Sequence, residues 1–162
     1  MIVLVGFMGA GKTTVGHLLA GKLGLPFIDS DVVISERDGR PIPQIFADDG
    51  EEAFRALEHE TIATLVGGRD AVLALGGGAV EHPATRAVLG PVTVVYLHVG
   101  YPAAVERVGG DAGRPMLRRP GLEAVYQRRL AAYTAAATLT VPTDGREPED
   151  VCLAIVEHLA AG

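Results

Sequence analysis

The stretch Val3-Leu-Val-Gly6-Phe-Met-Gly9-Ala-Gly11-Lys12-Thr13-Thr14 limits what this chain can become more than any other. It reads as a short apolar strand, a glycine-rich turn and the start of an amphipathic helix. Gly6 through Thr13 fits the pattern G-x-x-x-x-G-K-[ST] in full. Glycine at 6, 9 and 11 admits backbone angles closed to other residues. Successive N–H groups can then turn inward as an anion-binding nest. The positive end of the following helix points at the same spot. Lys12 is expected to reach the β- and γ-phosphates of a nucleotide, and the Thr13 hydroxyl to ligate Mg²⁺.

The rest of the chain alternates strands and helices. Strands are expected at 2–5, 25–28, 71–75, 92–99 and 138–141. Val15, Leu18, Leu19 and Leu23 recur at helical spacing after the glycine turn, and Gly24 ends that helix. A second helix, capped by Asp29 or Ser30, runs through Ile34 and stops near Gly39. Further helices are expected at 41–46, 51–65, 83–89, 102–108, 122–137 and 149–160, with Asp48-Asp-Gly50 as a turn. Residues 109–121 break all periodicity, and an irregular segment of that length in a small domain is usually functional or disordered. Strand–helix alternation implies a parallel sheet covered on both faces, with ligands bound beyond the carboxyl ends of its strands. The glycine-rich loop, the pair Asp29 and Asp31, and Gly76-Gly77-Gly78 all fall at such ends.

Composition narrows the function classes. A length of 162 residues suits one domain, read here as 1–162, and 48% hydrophobic residues can fill its core. No apolar run approaches the roughly 20 residues of a membrane span, and a strand at the extreme N-terminus leaves no room for a signal peptide. With one cysteine, Cys152, no internal disulfide can form, so a reduced, cytoplasmic protein is expected. The net charge of −6 argues against general nucleic-acid binding. Of 14 basic residues only Lys12 and Lys22 are lysines, and the arginines cluster at 107, 114, 118, 119, 128 and 129. An acidic chain with a local arginine cluster suggests small anionic ligands. A monomer is the default for this size.

Several side chains are candidates for the rest of a site. If the backbone stays extended, Asp29 and Asp31 lie on one face. One carboxylate could hold a Mg²⁺-bound water while the other accepts a hydrogen bond from a substrate hydroxyl. Gly76, Gly77 and Gly78 would let a substrate approach the backbone and meet N–H donors. Arg55 and Glu58, at i and i+3, can touch, giving a carboxylate-binding fork held by the glutamate. Arg129 would be a second fork, for two-sided capture of an anion. Arg114 could close over a transferring phosphoryl group, within a segment acting as a lid against water. Glu58-His59-Glu60 starts like a zinc-protease helix, but Ala63 stands where the second histidine would be.

Together these residues resemble the shikimate kinase family of small P-loop kinases. The matching pieces are Gly6 to Thr13, Phe27-Ile-Asp29-Ser-Asp31, Ile45-Phe46 through Gly50-Glu51 to Phe54-Arg55 and Glu58, Gly76-Gly77-Gly78, Gly113-Arg114-Pro115-Met-Leu117, and Arg128-Arg129 with Tyr133. They span nearly the whole chain in the family's order. The resemblance implies ATP- and Mg²⁺-dependent phosphorylation of the 3-hydroxyl of shikimate, on the route to chorismate and aromatic amino acids. It implies a three-layer α/β/α P-loop kinase fold. The parallel sheet would have five strands in the order 2-3-1-4-5, with a lid at about 109–121 and a substrate-binding segment at about 31–60. Lys12, Asp31 and Arg114 would be catalytic. ATP would be held by Gly9, Ala10, Gly11, Lys12, Thr13, Thr14 and Arg114, with Arg107 and Arg146 flanking the adenine. Shikimate would be held by Asp31, Arg55, Gly77 and Arg129, supported by Gly76, Gly78 and Glu58, with the two arginines on its carboxylate. Thr13 would bind Mg²⁺ directly and Asp29 through water. The chain departs from the family at Val141-Pro142, where an apolar residue followed by aspartate is common. Rival readings are a related small kinase, for gluconate or a nucleoside monophosphate, and a nucleotide-binding regulatory domain without catalysis.

Overall fold

The computed structural model describes residues 1–109 and 121–162. Among them, β1 (Ile2–Val5), β2 (Phe27–Asp29), β3 (Val72–Ala74), β4 (Thr93–His98) and β5 (Leu139–Pro142) form one sheet in the order β2-β3-β1-β4-β5. Every neighbouring pair is parallel, with Leu4 of β1 in register with Ala74 of β3 and Val95 of β4. All four residues of β1 are buried, as are the three of β3, which is what coverage on both faces of a parallel sheet demands. The helices are α1 (Lys12–Leu23), α2 (Ser30–Asp38), α3 (Ile42–Asp49), α4 (Glu51–Val66), α5 (Pro83–Leu89), α6 (Tyr101–Gly109), α7 (Leu122–Ala136) and α8 (Pro148–Ala161), with a 3₁₀ turn at Ala79–Glu81. This is the order and class expected from the sequence.

Two boundaries differ from expectation for identifiable reasons. The amide of Leu25 bonds to the Ala20 carbonyl and closes the end of α1, so the chain joins the sheet only at Phe27. Asp48 and Asp49 are not in a turn but in the last turn of α3. Gln44 donates to Asp48 at 2.7 Å, and Arg40 reaches from the end of α2 to Asp49 at 2.7 Å, so the helix continues until Gly50. Cys152 is fully buried in α8, as a packing residue should be.

A main apolar core spans both faces of the sheet. A second, small cluster joins α2, α3 and α4 through Ile34, Ile45 and Phe54. It packs together the helices that carry Asp31, Arg55 and Glu58, and Ile62 of α4 also enters the main core.

The step from β1 into the phosphate-type loop is set by a close approach. A Cβ on Gly6 would stand 2.6 Å from the Leu97 carbonyl oxygen of β4, which is backbone and cannot swing away. Gly6→Ala must therefore part β1 from β4. We expect it to destabilise the fold by about 1–3 kcal/mol, as overpacking of a tight site does, read as a lower urea midpoint at unchanged slope.

Candidate active site

The loop between β1 and α1 has the geometry its sequence requires. Gly9 and Gly11 take φ of 80° and 89°, the left-handed region, and Gly11 is the N-cap of α1. Lys12 folds its ammonium over the loop, donating to the carbonyls of Gly6 at 2.6 Å and Phe7 at 3.3 Å. Lys12, Thr13 and Thr14 line a cleft of about 890 Å³ that also takes in Asp29, Asp31, Arg55, Glu58, Gly76 to Gly78 and Arg129. Residues from α1, β2, α2, β3, α4 and α7 thus meet at the carboxyl edge of the sheet, where such folds bind ligands.

Asp29 and Asp31 do not lie along an extended strand. The chain turns into α2 at Ser30, and the Asp29 carboxylate caps that helix by accepting from the Asp31 amide at 2.9 Å. The turn aims Asp31 across the cleft at β3, where its Oδ1 would be 2.8 Å from a Cβ on Gly76.

The three glycines after β3 make room for charged side chains. A Cβ on Gly76 would meet Asp31 and, at 3.2 Å, Glu58. One on Gly77 would stand 3.2 Å from Nη1 of Arg129. One on Gly78 would collide with the Arg55 guanidinium. Arg55 donates from Nη1 to Glu58 at 2.8 Å, and this is no surface ion pair: the Glu58 side chain is 2% exposed and that of Arg55 19%. The faces of Phe46 and Phe54 flank the guanidinium carbon at 5.9 and 5.3 Å. Arg129 is tied through Nε to Glu81, in the 3₁₀ turn that follows the glycines. Tyr133, one helical turn on from Arg129, is buried and donates its hydroxyl to the Gly77 carbonyl.

A smaller cavity of about 200 Å³ adjoins the loop on the side of α8, lined among others by Gly11, Thr14, Arg107, Thr143 and Arg146. Arg107 is fixed there by the Gly9 carbonyl at 2.9 Å and by both the hydroxyl and the carbonyl of Thr143, at 3.2 and 2.9 Å. Thr143 in turn donates to the His98 carbonyl at 2.9 Å, joining β4 to β5. Arg146 lies along the Pro142 and Asp150 carbonyls. Arg114 and all but the ends of the expected lid fall outside the described residues.

The family model for shikimate kinase matches residues 8–160. The chain belongs to the shikimate kinase family. It is 50% identical to the shikimate kinase of Salinispora arenicola over 98% of this chain and 97% of that one. To the shikimate kinase of Thermobifida fusca it is 46% identical, over 99% and 95%. Among solved structures, shikimate kinase from Acinetobacter baumannii in complex with shikimate superposes with a TM-score of 0.89 at 36% identity, covering 99% of this chain and 92% of that one. The fold read from the sequence is therefore that of the shikimate kinases.

Three residues around the cleft and the smaller cavity carry weaker signals in the sequence. Thr143 stands one position beyond the departure at Pro142, and its hydrogen bonds with Arg107 hold the wall of the smaller cavity without a carboxylate at 142. Tyr133 shows in the sequence only as part of a motif with Arg128 and Arg129. Glu81 carried no signal, because it follows Gly78 through a turn whose direction the sequence does not reveal.

The electrostatics of the cleft are costly. Asp31 has its pKa raised, chiefly by burial and then by neighbouring Asp29, with Lys12 and Arg55 pulling the other way. Glu58 is likewise raised by burial, against the opposing pull of Arg55. A carboxyl group whose folded pKa lies above its unfolded value binds more protons when folded, so its ionisation lowers stability as pH rises through that interval. We therefore expect Asp31→Asn to be more stable than the parent at neutral pH. Its advantage should narrow as pH falls toward the ordinary carboxylate range, read by thermal unfolding across pH.

Proposed function

We propose that the chain transfers the γ-phosphoryl group of ATP to the 3-hydroxyl of shikimate, giving shikimate 3-phosphate and ADP. The observation that carries this is the meeting of Asp31, Arg55 and Arg129 on the bare backbone of Gly76 to Gly78, in the cleft that the phosphate-type loop lines. Two guanidinium groups in one cleft suit a carboxylate, since each presents paired N–H donors. Asp31 suits a hydroxyl between that carboxylate and the phosphates.

ATP would lie with its phosphates over Gly9 to Thr14 and its adenine in the smaller cavity, between Arg107 and Arg146. Thr13 and Asp29 line the cleft beside Lys12 and offer oxygen donors of the kind Mg²⁺ takes. No group of three or more metal-ligating side chains exists among the described residues. Thr13 would bond the cation directly and Asp29 through water, with phosphates and water supplying the other ligands. When bound with ATP, Mg²⁺ supplies neutralising charge at the β- and γ-phosphates.

In phosphoryl transfer the transition state is loose, and catalysis is mostly positioning and electrostatic stabilisation. Asp31 accepts the hydrogen bond of the acceptor hydroxyl, orients its lone pair in line with the phosphorus, and takes the proton late. Its raised proton affinity suits that task. Lys12 leaves the loop carbonyls for the phosphate oxygens, and Arg114 closes over them from the lid at about 109–121. Residues 31–60 serve as the acceptor-binding segment. No described helix is long and apolar enough to cross a membrane, and we take the enzyme to be a cytoplasmic monomer.

The direct test measures ADP release with shikimate, gluconate or a nucleoside monophosphate offered in turn. Release should depend on shikimate alone; release with another acceptor, or without any, rejects the assignment. Lys12→Ala and Asp31→Asn should each lower kcat at least about 1,000-fold while the protein stays folded. Near-normal turnover of Asp31→Asn would remove its assigned role. Arg129→Ala should raise KM for shikimate about 30-fold or more, as loss of a charged hydrogen-bonding pair does, and leave KM for ATP within about twofold.

A further inference from the structure

Glu81 is hydrogen-bonded to Arg129, which Glu58 also feels through space, and nothing in the proposed chemistry uses it. It closes the 3₁₀ turn Ala79–Glu81, directly after the three glycines. Its carboxylate is divided between two arginines of α7. Oε1 accepts from Nε of Arg128 at 2.6 Å, and Oε2 from Nε of Arg129 at 3.2 Å. The two arginines differ in setting. The Arg128 side chain is 62% exposed, whereas that of Arg129 is 12% exposed and lies in the cleft.

The edge of the guanidinium that Glu81 takes is decisive. Nε lies on the side of the group, next to the chain. The terminal nitrogens are at the other end, and Nη1 of Arg129 rests against Gly77, 3.2 Å from where a Cβ would be. A carboxylate on the side edge fixes the plane of the group and leaves its end toward the cleft. The surface beneath is fixed from the same helix, because Tyr133 holds the Gly77 carbonyl. Sharing one carboxylate between two guanidinium groups also leaves the trio with net positive charge, so attraction for an anion survives. Burial works against ionisation of Glu81, yet the hydrogen bonds from Arg128 and Arg129 outweigh it and keep its carboxyl below the usual range, so it is charged at neutral pH.

We propose that Glu81 is a positioning residue that orients Arg129 for the carboxylate of the acceptor substrate, with Arg128 holding the other oxygen of Glu81 in place. This rests on the reading of Arg129 as a carboxylate-binding arginine. An arginine has several rotatable bonds to immobilise, and ordering it before the substrate arrives removes that cost from binding. Glu81 touches neither phosphate nor hydroxyl, so its influence falls on acceptor affinity and not on the chemical step.

The test compares Glu81→Gln, Glu81→Asp, Arg129→Ala and the double variant Glu81→Gln with Arg129→Ala, by steady-state kinetics with shikimate and ATP varied separately. Glu81→Gln should raise KM for shikimate about 3- to 10-fold, with kcat and KM for ATP within about twofold. Glu81→Asp, charged but shorter, should fall between it and the parent. In the double variant KM for shikimate should exceed that of Arg129→Ala by no more than about twofold, because the two residues act as one unit. If Arg129→Ala raises KM while Glu81→Gln leaves it at or below the parent value, the positioning role is overturned and the arginine clamp stands. If Glu81→Gln raises both KM values together and lowers the unfolding temperature, the residue only supports the fold, and the proposal is again overturned. If Arg129→Ala itself leaves KM for shikimate unchanged, the clamp fails and this inference with it.

Discussion

The carboxyl end of β3 has no side chains for three residues, and charged groups from three other elements occupy the space. Asp31 enters from α2, Arg55 with Glu58 from α4, and Arg129 from α7, each against one of Gly76, Gly77 and Gly78. Flexibility of the glycines matters less here than their lack of a Cβ. A methyl at any of the three positions would meet a carboxylate or guanidinium within about van der Waals distance or closer. The opposite side of the cleft is set by the same device, since Gly6 lets the loop after β1 pass the Leu97 carbonyl of β4.

Bringing these charges together works against the fold. Burial raises the proton affinity of Asp31 and of Glu58, which means that their charged forms are less comfortable in the cleft than in water. Apolar burial in the main core of the sheet and in the separate cluster of Ile34, Ile45 and Phe54 offsets that penalty. The pairing is unequal across the cleft. Arg55 has a buried partner in Glu58, while Arg129 has a shared, more accessible one in Glu81. A site built this way gives up stability for preorganisation, as expected where charge must be stabilised during reaction.

Much of this was legible in the residues. Gly9 and Gly11 needed left-handed backbone and have it; the buried strands show the continuous apolar runs of a parallel sheet; Gly24 and Gly39 end their helices in the left-handed conformation. The errors were local. Asp48 and Asp49 looked like a turn because Asp and Gly favour turns, but cross-helix partners at Gln44 and Arg40 extended α3. Asp29 and Asp31 would share a face only along an extended chain; the other expectation, that Asp29 caps the second helix, is the one the structure takes.

By itself the sequence determined the succession of strands and helices and the phosphate-type loop, because periodicity, glycine placement and motif spacing are properties of neighbours along the chain. Only the tertiary structure decided what each charged group faces. It set Asp31 against Gly76, matched Arg55 to Gly78, and put Glu81 between two arginines some 47 residues away. Those pairings depend on how the β3 turn and α7 come together, and a contact across that distance leaves no periodic trace in a single chain.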